Sequence, residues 1–203
     1  MSWWAACGPF WDLCAMSIRS RGCSSCAGRL HRVQTSWPEP VERVAAFLRK
    51  AGAEARLEEL ESGAATAEDA ARAAGCTPDC IVKSLVVMCD GRPVVALLPG
   101  DRRVDTRKIA AAAGARKARL ADAAEVESAT GFVPGGVAPF PLPRIDQVFI
   151  DQTLLAHDLV WIGAGSPTHL AALRPAELVR LSGARPLDAV QEPAYHSVPR
   201  GDT

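Results

Sequence analysis

The sequence predicts a mixed α/β fold, a sheet or barrel flanked by helices, and three observations carry that expectation. Short apolar runs rich in Val, Ile and Leu interleave with segments of helical period along most of the chain. Two of those runs, Cys80 to Cys89 and Pro93 to Leu98, flank Asp90-Gly91, a hairpin turn that a doubly wound parallel sheet does not require. The helical segments are also punctuated, with Thr, Asp or Pro at their starts and Gly at their ends.

Taken in order, Val41, Val44, Ala45, Phe47 and Leu48 share one face of a first helix that begins at about Pro40 and stops at Gly52. A short strand over Ala55 to Leu60 follows. Thr66 then opens a second helix, its hydroxyl able to accept from backbone N–H groups, with Glu68 and Asp69 in the first turn and Gly75 as the stop. The hairpin comes next. Asp105 or Thr106 caps a helix to Ala113, Gly114 closes it, and Lys117 to Leu120 is a short strand before a helix over Ala123 to Ala129. Beyond a central loop, Gln147 to Ile150, Leu159 to Ile162 and Leu170 to Leu173 read as strands, and Pro175 starts a last helix that Gly183 ends.

A chain of 203 residues with 48% hydrophobic and 23% charged content can fill one core. Lys plus Arg equals Asp plus Glu at 23 each, so no global basic field exists and any nucleic-acid contact must come from a local patch; the balance itself argues only against a histone-like binder, and DNA is not among the expected partners. No apolar run reaches the roughly 20 residues of a membrane span, and a soluble, cytoplasmic protein is expected. Residues 1–38 hold four of the five tryptophans without helical or strand period. They are expected to form a disordered or mis-assigned extension; residues 39–190 form the domain and 191–203 a disordered tail. Cys23 and Cys26 could be half of a zinc site, but no second ligand pair follows at the right spacing, and neither metal nor cofactor is expected. Cys76, Cys80 and Cys89 read as small buried hydrophobes.

Four stretches could carry chemistry. GFVPGGVAPFPLP, from Gly131 to Pro143, holds three glycines and four prolines and is built to keep backbone still, with Gly135 and Gly136 able to turn N–H groups toward an oxyanion or phosphate. Lys83 is a lone charge inside an apolar strand; it either faces water on a half-buried sheet or points into a cleft to hold a phosphate or carbonyl oxygen. GAGSP, Gly163 to Pro167, closes a strand with N–H groups and the Ser166 hydroxyl in position for an anion nest, but lacks both glycine fingerprints of nucleotide sites. Asp151 ends the strand VFID, where a helix-capping role for Gln152 to Ala156 is the ordinary expectation. Of the histidines, His157 reads as a surface residue and His169, just after GAGSP, as the better candidate to touch a substrate.

In order along the chain, TAEDAA at Thr66 to Ala71, IVKSLV around Lys83, GDRRVDTRKIA at Gly100 to Ala110, ATGFVPGGVAPFPLP at Ala129 to Pro143, VFID and GAGSP resemble the YbaK/EbsC family of aminoacyl-tRNA editing domains. The family is related to the insertion domain of bacterial prolyl-tRNA synthetases, and the likeness runs from about Val41 to Val190. The resemblance implies a mixed, barrel-like α/β domain that hydrolyses the ester of mischarged tRNA without metal or cofactor, with tRNA(Pro) as the carrier and prolyl-tRNA synthetase as a partner. It implies that Lys83, Gly135 and Gly136 serve the reacting end, and that Gly165, Ser166 and Pro167, with Asp151 as a weaker carry-over, shape the substrate pocket; Phe132 and His169 are further substrate-binding candidates, His169 from its place after GAGSP and not from a family role. Cysteine-clearing members often carry Gly-Gly-Lys-Arg-Gly where GAGSP stands, and an aromatic after the first strand where Glu61-Ser62 stands, so Cys-tRNA(Pro) and Ala-tRNA(Pro) both remain open substrates. A non-catalytic tRNA-binding module of the same fold is the competing expectation, and a nucleotide binder using GAGSP a third. The tRNA backbone is expected on Arg102, Arg103, Arg107 and Lys108, in a run from Arg102 to Arg119 whose single acid is Asp105. A solvated helix face is the alternative for that run.

Overall fold

The structure, a computed structural model, describes residues 37–60, 63–64 and 66–191. The expectations for the N-terminal extension with Cys23 and Cys26, for Glu61-Ser62 and for the tail from 192 onward lie outside the described residues.

Each helix opens on a proline or on a capping side chain. α1 (Glu39–Lys50) has Pro in its first turn and buries Val41, Val44, Ala45 and Leu48. After β1 (Arg56–Glu59), α2 (Ala67–Ala74) is capped by Thr66, whose Oγ1 accepts from the Asp69 N–H at 3.1 Å. A 3-10 turn, Pro78–Cys80, leads into β2 (Ile81–Cys89), which pairs antiparallel with β3 (Arg92–Pro99). Asp90, at φ 47°, turns that hairpin, and its carboxylate accepts the N–H groups of Arg116 and Lys117. That anchor lays β4 (Ala118–Leu120) beside β2, just after α3 (Thr106–Ala113), which Asp105 caps. α4 (Ala123–Thr130) opens on a capping box between Asp122 and Glu125. β5 (Val148–Asp151), a 3-10 turn at Gln152–Ala156, β6 (Val160–Gly163), β7 (His169–Leu173), α5 (Pro175–Ser182) and β8 (Arg185–Leu187) complete the described chain.

The strands form one mixed sheet in the order β1-β7-β6-β2-β3-β5-β8, with β4 branching from β2. The mixed α/β expectation holds; the strand path ends at β1 and β8 and is not closed into a barrel by pairing between them. Parallel pairs β2–β6, β3–β5 and β5–β8 sit beside antiparallel ones, as helices and a hairpin both connect the strands. The largest core cluster joins Val44 and Leu48 of α1 with Phe132, Phe140 and Ile150. A second seats Ile109 of α3 on Leu98 and Phe149, and a third seats Ala70 and Ala71 of α2 on Trp161 and Leu170. Among the described residues no helix is long and apolar enough to cross a membrane.

One irregularity matters for the site. β2 pairs with β6 only at Ile81 and Val82, and with β4 only from Val87 to Cys89, on the edge away from β3. Lys83, Ser84 and Leu85 therefore lie where the sheet opens.

Candidate functional site

A cavity of about 240 Å³ occupies this opening. Lys83, Ser84, Gly135, Ser166 and Pro167 line it, along with small and apolar side chains including Ala64, Ala67, Ala70 and Leu170. A larger cavity of about 510 Å³ runs along Phe140 to Ile145 and contains Arg43 and Arg144 but neither Lys83 nor any residue of GAGSP. The smaller one is the candidate site because it gathers Lys83, Gly135, Ser166 and Pro167, four of the residues that the sequence singles out.

Lys83 is half-buried, and its Nζ donates to the Arg102 carbonyl at 2.8 Å. Burial pushes its pKa below the ordinary lysine value, Glu68 and Asp101 push it back up, and the charge of Arg103 lowers it. Lys83 lines the cavity, and its ammonium is held at the Arg102 carbonyl, which is not part of the lining. An ammonium carries three donors, so the Arg102 carbonyl leaves two for another acceptor.

The two glycine loops meet across the pocket. A Cβ on Gly136 would lie 2.7 Å from Ser166 Cα, and one on Gly163 would lie 3.0 Å from the Val137 carbonyl oxygen, so only glycine permits the backbones to pass this closely. Gly135, at φ +86°, is exposed on the pocket wall. Gly136 is buried behind it and donates its N–H to Val133 O at 3.0 Å, so its contribution is close approach rather than a free donor for an anion. Gly165, at φ +101°, packs against the Pro40 carbonyl, where a Cβ would sit 2.5 Å from the oxygen.

Ser166 presents its hydroxyl to a local network. Its Oγ lies 2.6 Å from His169 Nδ1 and 3.1 Å from Thr168 Oγ1, and accepts the Thr168 N–H at 3.3 Å. His169 is 2% exposed, edge-on to Trp37, and its Nε2 is enclosed without a partner among the described residues. It stands behind Ser166 as an orienting group rather than on the pocket wall. Ser84, which carries no motif of its own in the sequence, is a lining residue whose hydroxyl is buried and without a partner among the described residues. The polar pair Lys-Ser within an otherwise apolar strand was its available signal.

Of the six expected substrate-pocket residues, only Ser166 and Pro167 line the cavity; Gly165 and His169 lie behind it, and Asp151 and Phe132 lie elsewhere. Asp151 is 0% exposed, and its carboxylate accepts the Thr153 N–H at 3.0 Å, the Thr153 hydroxyl and the Ala189 N–H at 2.8 Å. That satisfies a helix cap and the approach to the C-terminal segment, leaving it no route to a substrate. Phe132 is 1% exposed in the main core, with the Arg43 guanidinium 4.4 Å above its ring. Its aromatic area serves packing.

The basic run is more balanced in space than in sequence. Arg102 pairs with Asp101 at 3.2 Å, Arg107 with Asp105 at 3.3 Å, Lys108 with Asp188 at 2.7 Å and Arg119 with Glu125 at 2.7 Å. Three of these acids come from outside the run. Exposed Arg103 is close enough for its charge to reach Lys83, which places the start of the run near the pocket mouth.

Comparison with known proteins follows from this geometry. The model of the aminoacyl-tRNA editing domain matches residues 61–181. A proline–tRNA ligase from Nitratidesulfovibrio vulgaris is 39% identical over 110 residues, covering 53% of this chain and 19% of the ligase, so the chain spans about a fifth of that relative. EbsC of Enterococcus faecalis, provisionally named a Cys-tRNA(Pro)/Cys-tRNA(Cys) deacylase, is 26% identical over 118 residues, 58% of this chain and 72% of its own. A solved structure provisionally described as a trans-editing enzyme for prolyl tRNA synthetase superposes with a TM-score of 0.72 at 32% identity, covering 77% of this chain and 100% of that one.

Proposed function

The chain belongs to the aminoacyl-tRNA editing domain family, and from that premise we propose that it is a trans-editing deacylase that hydrolyses the aminoacyl ester of mischarged tRNA(Pro). The observation that carries the reading is that half-buried Lys83 lines the same small pocket as Gly135 and Ser166-Pro167.

The chemistry asks little of the protein, because an aminoacyl ester is already activated. Positioning and stabilisation of the oxyanion suffice. Lys83 offers its remaining N–H donors to the ester carbonyl oxygen, where negative charge develops as water adds. Ser166, oriented by His169, fixes the other side of the reacting end, and Gly135 lets the acceptor end lie against the backbone. Ala64, Ala67 and Ala70 leave room for a small side chain, which favours alanine or cysteine. The need for such a second site is physical: a synthetase pocket sized for proline cannot reject a smaller or similar residue strongly on binding energy alone. Arg102, Arg103, Arg107 and Lys108 guide the tRNA backbone, and the reaction takes place in the cytoplasm on products of prolyl-tRNA synthetase.

Single-turnover hydrolysis of Cys-tRNA(Pro), Ala-tRNA(Pro) and correctly charged Pro-tRNA(Pro) tests the proposal. Rapid cleavage of one mischarged species with Pro-tRNA(Pro) spared is expected. Binding of all three without cleavage would make the protein a tRNA-binding module instead.

A further inference from the structure

Immediately upstream of Lys83 the fold assembles a second chemical cluster that ester hydrolysis leaves unused. Cys80 ends the 3-10 turn Pro78–Cys80, and its Sγ lies 3.5 Å from Nδ1 of His157. The other ring nitrogen, Nε2, lies 3.6 Å from Asp79 Oδ2, within ion-pair range. Thr77 Oγ1 sits 3.6 Å from the same sulfur. The sequence suggested buried hydrophobes for Cys76 and Cys80 and a surface site for His157. Both thiols are in fact only partly buried, and the His157 side chain, 22% exposed, is tied to Cys80 across 77 residues of chain.

We propose that Cys80 is a reactive thiol that hydroperoxides oxidise to a sulfenic acid, which Cys76 then captures as a disulfide. The arrangement separates the roles of the two cysteines. Cys80 can pass its proton to His157 Nδ1, leaving a thiolate beside an imidazolium that faces Asp79. Asp79 is held ionised below the usual carboxylate range, chiefly by the Thr77 hydroxyl and also by His157. Among the described residues Cys76 has no such base; burial pushes its thiol up, and negative charge on Cys80 and on Asp79 pushes it further. It therefore stays protonated while Cys80 reacts.

In the first step the Cys80 thiolate attacks one oxygen of hydrogen peroxide. The S–O bond forms and the O–O bond breaks; sulfur gives up two electrons, and the leaving hydroxide takes the proton from imidazolium and departs as water. In the second step the Cys76 sulfur bonds the Cys80 sulfur and the S–O bond breaks. The hydroxyl leaves with the Cys76 proton as a second water. Cys89 is 2% exposed and serves as an internal reference thiol.

The test treats the full chain with hydrogen peroxide in the presence of a sulfenic-acid-trapping 1,3-dione and reads each cysteine peptide by mass spectrometry. In the parent a Cys76–Cys80 disulfide is expected. In Cys76→Ser the trapped label should accumulate on Cys80, and in Cys80→Ser both products should vanish. His157→Gln and Asp79→Asn should slow Cys80 oxidation, the former by about tenfold or more. Oxidation of Cys80 no faster than that of Cys89 overturns the proposal. So does an unchanged rate in a folded His157→Gln variant. If that variant unfolds, which labelling of Cys89 would reveal, Asp79→Asn decides: its carboxylate is 45% exposed, and a parental rate there rejects the role of the base. A sulfenic acid as persistent in the parent as in Cys76→Ser removes the capture step.

Discussion

Replacing Gly136 by alanine probes how closely the two glycine loops must pass. The new Cβ would stand 2.7 Å from Ser166 Cα, 2.9 Å from its carbonyl carbon and 3.0 Å from its nitrogen. Carbon atoms prefer separations of about 3.5–4.0 Å, so the loops must part by on the order of 1 Å. Every atom met is backbone, and no flexible side chain can yield. Overpacking of this kind costs about 1–3 kcal/mol, which for a domain of this size lowers the melting temperature by about 2–12 °C. The displaced residue is Ser166, on the pocket wall, and an error of about 1 Å in a reacting group costs on the order of a hundredfold in rate. Gly114→Ala is the matched control: it carries φ +69° at the end of α3 with nothing within 4 Å of its Cβ, so it should lose about 1 kcal/mol and keep its deacylation rate. Thermal melts and single-turnover deacylation on the same preparations read both effects. Parental stability and rate in Gly136→Ala would refute the close approach, and a rate loss no larger than that of Gly114→Ala would refute its link to catalysis.

Three further outcomes are expected. Asp151→Ala should cost about 2–5 kcal/mol because it strands the Thr153 and Ala189 N–H donors, yet leave the rate per folded molecule unchanged; a specific rate loss in a stable variant would return Asp151 to the pocket. The Glu125 carboxyl falls from 4.5 to about 2, first through its bond from Arg119 and then through the Asp122 N–H. A depressed carboxylate stabilises the fold above its ordinary value and loses that contribution as pH drops through the folded one. Glu125→Gln should therefore flatten the decline of melting temperature between pH 4.5 and about 2, and an unaltered decline contradicts this. Removing Arg102, Arg103 and Arg107 together should reduce the log–log salt slope of tRNA binding by about 1–2.7 units, the lower values reflecting the carboxylates beside Arg102 and Arg107; equal slopes exclude the patch.

The elements were legible where local chemistry decides them. Thr66, Asp105 and Asp122 cap their helices through their own side chains, and Asp90-Gly91 turns the hairpin, so short-range signals sufficed. β8 was not legible: Arg-Pro-Leu has no alternation, and it becomes a strand only because β5 offers a parallel edge. The same limit applied at the site. Lys83 announced itself as a charge in an apolar strand, but its place beside the cavity depends on β6 leaving β2 before β4 joins it, a matter of tertiary register. Phe132 and Asp151 sit in recognisable motifs yet face inward, and three of the four acids that pair with the basic run, Asp101, Glu125 and Asp188, come from outside it.

Hydrolysis of mischarged tRNA by Lys83→Ala tests the central claim most directly. The lost hydrogen bond to the Arg102 carbonyl is exposed, and removing a half-buried ammonium also relieves its desolvation, so stability should change by about 1 kcal/mol, or about 2–4 °C in melting temperature. Loss of a charge-assisted donor to the developing oxyanion should slow cleavage by on the order of a hundredfold or more. The measurement is the single-turnover rate on Cys-tRNA(Pro) and Ala-tRNA(Pro), with melting curves taken beside it. The account predicts a folded protein that binds tRNA and barely cleaves it; a folded Lys83→Ala variant cleaving the parent's substrate at a near-parental rate would contradict it.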